Sequence, residues 1–340
     1  MEKIVCFGEI MMRLNPEGYL RLVQADRLMV SFAGGEANVA VSLANYGKDV
    51  SFVTKIPDHE IGQACVNELR RFGVDTSKII RGGKRLGIYF VEKGASQRGS
   101  KVIYDRENSA IALADPSEFD WKKIFDGVCW FHFTGITPAL SDKMAAACEE
   151  ACKTAKEMGI RISCDLNYRK KLWTREKAGQ VMSGLMKYVD VCIANEEDAA
   201  DVFGIKSEDT DVVSGKLSKE GYIQVAETLS KRFGCKEVAI TLRTSISAND
   251  NQWAGMLYRD GQTWFSKEYL IHIVDRVGGG DAFGGGLIYS ELEGMEPQDV
   301  IEFAVAASCL KQSIEFDMNQ VSVAEVNALM KGNATGRVQR

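Results

Sequence analysis

Apolar positions along the chain follow two alternating rhythms. Short runs rich in Val, Ile, Phe and Cys read as buried strands over 50–53, 130–133, 161–165, 191–194 and 238–242. Between them the spacing widens to three and four, as in Ile61, Ala64, Cys65, Leu69 and Phe72 closed by Gly73, and again over 141–158, 175–188 and 223–233. Strands this apolar need cover on both faces. The alternation therefore predicts an α/β fold, with a mostly parallel central sheet flanked by helices. A hairpin over 254–258 and 263–266 follows, turned at Arg259-Asp260-Gly261. Helices over 282–293, 298–313 and 323–331 close the chain, before a polar tail from Gly332 that reads as frayed.

Two stretches break the rhythm, 9–32 and 86–106. In the second, Ile88-Tyr89-Phe90-Val91 and Val102-Ile103-Tyr104 flank the turn-rich Lys93-Gly94-Ala95-Ser96-Gln97-Arg98-Gly99. They read as strands of a separate small sheet, or as ordinary surface hairpins. No internal repeat is visible, so 1–340 reads as one domain carrying a discontinuous subdomain.

Composition narrows the class. A chain of 340 residues with 45% hydrophobic content can bury a large core. No apolar run reaches the roughly 18 residues of a membrane span. The start, Ile4-Val5-Cys6-Phe7, is strand-like and lacks the layout of a signal peptide, so the expectation is a cytoplasmic protein with no membrane partner. A net charge of −5 without a basic stripe argues against nucleic acid. Nine cysteines show no C-x-x-C pair and read as reduced core thiols. His59, His132 and His272 stand in no metal-ligand spacing, and no metal is expected to bind protein side chains directly.

Candidate chemistry concentrates at Asp275-Arg276-Val277-Gly278-Gly279-Gly280-Asp281-Ala282-Phe283. Gly278, Gly279 and Gly280 bring backbone N–H groups close to a ligand, and the helix that follows adds unsatisfied donors, which together make an anion site. Asp281 at its mouth is placed to accept the proton of an attacking hydroxyl; the plainer alternative is an N-cap aspartate. A second glycine turn, Ala33-Gly34-Gly35-Glu36-Ala37-Asn38-Val39-Ala40, lies near the start. After the first strand comes Gly8-Glu9-Ile10, which is not the G-x-G-x-x-G of a dinucleotide-binding fold.

These two glycine segments, in this order, resemble the two signatures of the ribokinase-like (PfkB) carbohydrate kinases. The resemblance implies a ribokinase-like fold with a small β-sheet lid formed by 9–32 and 86–106, Asp281 as catalytic base, and Gly34, Gly35 and Asn38 at the sugar. It extends over nearly the whole chain to the 2-keto-3-deoxygluconate kinases, which phosphorylate O6 of a keto acid with ATP. By that resemblance Gly34, Tyr89, Tyr104, Arg106 and Arg169 hold the acid. Independently, Asp165-Leu166-Asn167-Tyr168-Arg169 ends a predicted parallel strand, where open α/β sheets bind ligands. An arginine there offers a charged fork that a carboxylate uses and a neutral sugar does not require. Arg169 also reads as a surface cation in the run Arg169-Lys170-Lys171, and Tyr89 and Tyr104 as half-buried strand aromatics.

For the nucleotide, Asn195-Glu196-Glu197-Asp198 resembles the family's Asn-x-x-Glu motif, which organises Mg2+ through water. Asp198 stands in the fourth place, with Glu197 beside it to share the role; an N-cap asparagine with helix-start acids is the alternative. Thr241 and Arg243 fall where relatives carry a glycine-containing turn near the ATP phosphates. Arg276 replaces a common threonine, and Glu315-Phe316 stands where Pro-Gly often precedes Asp317. The implied cofactors are ATP and Mg2+, with a monovalent cation left open, and family lids that pair make a homo-oligomer the expectation. Three functions fit: a sugar-acid kinase, a fructokinase- or ribokinase-type kinase of a neutral sugar, and a non-catalytic sensor on the same fold.

Overall fold

The computed structural model describes residues 2–195, 197–206 and 218–332, and the tail expected to fray lies, apart from Gly332, outside the described residues. Its centre is a nine-stranded sheet. Six strands run parallel in the order Glu237–Ser245, Val191–Asn195, Arg161–Asp165, Val128–Thr134, Lys3–Phe7 and Asp49–Val53. All but Glu237–Ser245, whose last four residues leave the core, are short and almost wholly buried, because helices cover both faces.

The antiparallel edge extends further than periodicity alone predicts. Strand Asp250–Arg259 pairs along the full length of Glu237–Ser245, and it turns into Gln262–Phe265 through Asp260 and Gly261 at φ of 51° and 78°. That is the positive-φ pair a tight hairpin needs. A further strand, Tyr269–His272, was not expected; it is too short and too mixed in polarity to announce itself.

Both rhythm-breaking stretches do form one separate sheet. Its four strands lie in the order Met29–Ala33, Met11–Asn15, Ile88–Glu92, Lys101–Asp105. Inward-facing Met11, Ala33, Tyr89 and Val91 pack with Val102 and Val277, so the small sheet sits against the glycine loop.

Glycines set one helix spacing that matters for the site. Helix Gly279–Leu292 lies between Gly35–Asn45 and Pro297–Lys311. A Cβ on Gly285 would stand 2.6 Å from Ser42 Cβ, and one on Gly286 3.0 Å from Ala304 Cα. Only bare backbone lets the three helices approach this closely, and that approach brings the two glycine segments together.

Candidate active site

The sequence-distant signatures meet at a cavity of about 410 Å³ at the C-terminal ends of the parallel strands. Asp165 and Asn195 end their strands, and Thr241, midway along its own longer strand, is paired in register with Asn195, which places all three on this rim. The small sheet contributes Tyr89, Tyr104 and Arg106, and the glycine loop contributes Gly278, Gly279 and Gly280.

At the centre, Asn38 Nδ2 donates to Asp281 Oδ2 at 2.6 Å. Asp281 is not an N-cap: Gly278 holds that position at φ 83°, and Asp281 is third in the helix Gly279–Leu292. Its carboxylate therefore sits over the first turn, where unsatisfied amides and the helix dipole favour negative charge. Burial nevertheless pushes Asp281 up to about 6; Asp317 and Glu36 push the same way, while Asn38 and Arg169 oppose them. Such a carboxyl is ionised at neutral pH and basic enough to take up a proton. Replacing Asn38 with Ala removes a donor that favours the charged form, so the acid limb of kcat/KM should move to higher pH. A pH profile that stays in place would show that Asn38 does not tune Asp281.

The other acids are held differently. Asp165 lies well above the usual carboxylate range, first through burial and then through the charges of Asp198 and Asp281, and it accepts from Asn167 N at 3.1 Å. Glu36, fully buried, accepts from the Thr134 and Thr137 hydroxyls at 2.7 and 2.6 Å, and burial raises it too. The close approach at Gly34 ties this region to the small sheet, since a Cβ there would lie 2.0 Å from the Glu9 carbonyl oxygen. A Cβ on Gly35 would face Asp281 Oδ1 at 3.6 Å.

Most residues expected at the site line the cavity: Gly34, Gly35, Asn38, Tyr89, Tyr104, Arg106, Arg169, Asn195, Asp198, Thr241, Arg243, the three loop glycines and Asp281. Glu197 does not. Asn195 Oδ1 caps the following helix, accepting from the N–H groups of Glu197 and Asp198 at 2.8 and 2.9 Å. That turn aims Asp198 inward and leaves the exposed Glu197 on a neighbouring cleft. Two other residues are already engaged. Tyr89 Oη donates to Asp317 Oδ2 at 2.7 Å, and Arg106 pairs with Glu9 through Nε at 2.8 Å. Arg169, by contrast, has no ion-pair partner among the described residues and lies close enough to stabilise both Asp165 and Asp281.

Periodicity passes over Arg13, whose guanidinium is fully buried between Asp275, at 2.6 Å, and Asp317. Burial works against its charge, but the two carboxylates more than offset this, so Arg13 stays protonated. Lys311 is likewise fully buried behind the glycine loop. For Arg13 the available signal is a single charge inside an otherwise uncharged strand; Lys311 ends a helix that also carries Asp299 and Glu302, and its sequence gives no such signal.

A family model for pfkB family carbohydrate kinases matches residues 1–313, and the chain belongs to that family. The chain is 31% identical over 335 residues, 98% of each protein, to a 2-dehydro-3-deoxygalactonokinase of Haloferax volcanii. It is 29% identical to a 2-dehydro-3-deoxygluconokinase of Thermoproteus tenax, over 97% of this chain and 95% of that one. Among solved structures, a 2-dehydro-3-deoxygluconokinase from Thermotoga maritima superposes with a TM-score of 0.94 at 51% identity, covering 97% and 98% of the two chains.

Proposed function

We propose that this protein transfers the γ-phosphoryl group of ATP to the 6-hydroxyl of a 2-keto-3-deoxy sugar acid, most simply 2-keto-3-deoxygluconate. The observation that carries the reading is the Asn38–Asp281 contact in one cavity with an uncommitted Arg169. Relatives named for 2-dehydro-3-deoxy sugar acids support the substrate class.

In this reading Asp281 accepts the proton of the sugar hydroxyl as the new O–P bond forms and the bond to ADP breaks. The N–H groups at the start of helix Gly279–Leu292 face the charge that develops on the transferred phosphoryl oxygens. The donor set fits a triphosphate: loop amides, Arg243, and Arg276, whose buried Nε has no hydrogen-bond partner among the described residues. When bound, Mg2+ neutralises phosphate oxygens and keeps much of its water. Closure of the small sheet over the sugar would exclude the water that competes with its hydroxyl for the phosphoryl group.

The test is ATP-dependent turnover of 2-keto-3-deoxygluconate, its galacto epimer, fructose and ribose in parallel. Keto acids should be preferred in kcat/KM by at least tenfold. Preference for a neutral sugar would reject the acid assignment, and no turnover of any sugar would favour the sensor. Arg169→Met should raise KM for the keto acid by about 10- to 100-fold, the loss of one charge-assisted contact of roughly 1.5–3 kcal/mol. Residual turnover of fructose should be unchanged. An equal loss for both substrates would remove Arg169 as a carboxylate clamp.

A further inference from the structure

The glycine loop is held from behind by a lysine. Lys311 Nζ, on helix Pro297–Lys311, donates to the Asp275 carbonyl oxygen at 3.1 Å and to the Val277 carbonyl oxygen. Ser308 Oγ, one turn earlier on that helix, donates to the Gly279 carbonyl oxygen at 2.7 Å. In a planar trans peptide the C=O and the next N–H point in opposite directions. A Val277 carbonyl turned toward Lys311 therefore turns the Gly278 N–H the other way, toward the cavity. The Gly279 carbonyl on Ser308 does the same for Gly280 N–H.

Two further features make Lys311 a cation for the loop and not a core filler. It is fully buried, and burial, with the neighbouring Arg13 charge, pulls it below the ordinary lysine range while Asp275, Asp317 and Asp281 oppose that. An ammonium kept in such a place must be satisfied by carbonyl oxygens and nearby carboxylates, the ligand set of a small monovalent cation. Arg13 neutralises the adjoining Asp275 and Asp317 carboxylates. Loop and acids thus have their positive charge supplied by side chains of this chain.

We infer that Lys311 is a positioning residue for phosphoryl transfer: its ammonium serves as a built-in monovalent cation that aims the loop amides at the phosphoryl group. The enzyme consequently needs no added potassium. This rests on the reading of the loop as the phosphoryl site, which the Asp281→Asn control tests separately.

The experiment measures kcat and both KM values of the wild type and Lys311→Met with 100 mM choline, potassium or ammonium chloride. The wild type should vary by less than about twofold among the salts. Lys311→Met should lose about 10²-fold in kcat in choline, comparable to removal of one oxyanion donor, with the sugar KM little changed. Ammonium should restore at least tenfold of that loss in a saturable way, which a merely structural lysine would not allow. Activation of the wild type tenfold or more by potassium would overturn the inference even if the variant did not fold. So would a folded Lys311→Met enzyme with unaltered kcat, or one with a kcat loss that no cation relieves. If Asp281→Asn stayed active, the site assignment would fail instead, whatever the salts did.

Discussion

Asp281→Asn should lose about 10³-fold in kcat and at the same time gain thermal stability. The loss is the usual size for removing a positioned general base, and substrate binding should survive because Asn keeps the shape and can still accept from Asn38. The gain follows from the carboxyl's environment. A group raised from 3.8 to about 6 binds its proton more tightly in the folded state, so its ionisation weakens the fold as pH rises through that interval. At neutral pH this amounts to roughly 3 kcal/mol, which an uncharged amide would recover in part, for a rise of about 1–3 °C in Tm in a chain of this length. The gain should shrink toward pH 4, where the wild-type carboxyl is protonated as well. Thermal unfolding at pH 4 and pH 7, beside kcat, checks both halves. Activity within tenfold of wild type would reject Asp281 as the base, and a lowered Tm at both pH values would give its carboxylate a structural role in the first helical turn.

Gly278→Ala should be the most damaging single methyl in the loop. The residue sits at φ 83°, and its Cβ would lie 2.0 Å from the Asp317 carbonyl oxygen and 2.9 Å from the Asp317 carbonyl carbon. Both obstacles are backbone, so no rotamer relieves them. Left-handed backbone costs a non-glycine residue on the order of 1–2 kcal/mol, and the collision adds more. We expect a fall in Tm of several degrees and a loss of transfer activity of at least 10²-fold, because the loop must move away from Asp317. Gly280→Ala is the comparison: its Cβ meets nothing within 4 Å, so the fold should be nearly as stable as wild type. Equal stability of the two variants would refute this account of the loop.

Much of the architecture was legible in the chain. Parallel strands are buried on both faces and helices on one, so strand and helix each leave a distinct apolar period, and Arg161–Asp165 appears at its predicted bounds. The turn at Asp260-Gly261 was equally plain, since few residues other than glycine and Asx accept that backbone. Helix starts were less so. Gly278 to Gly280 look like loop by propensity, yet the helix begins at Gly279, which makes Asp281 a first-turn residue and not a cap. Strand Glu237–Ser245 was read too short because its outer end pairs without being buried, and Asp250–Arg259 because its first three residues are polar, although Asn251 and Trp253 are buried.

For the site, the chemistry of single residues was written in the sequence, and their partnerships were not. Glycine runs, an aspartate after them and an arginine beyond a strand are local patterns, and local patterns suffice to nominate Asp281, Asn38 and Arg169. Which charges stay available is settled only by contacts across long sequence separations. The sequence separation of 243 between Asn38 and Asp281 closes because Gly285 lets two helices touch. Arg106 is neutralised by Glu9, 97 residues away, whereas no such partner reaches Arg169 among the described residues. Arg13 and Lys311 read as ordinary charges in their own elements and become a buried cationic support only when the small sheet and helix Pro297–Lys311 converge on Asp275. Periodicity reports how much of each element is covered. Pairing of buried charge depends on which element does the covering, and that is a property of the assembled fold alone.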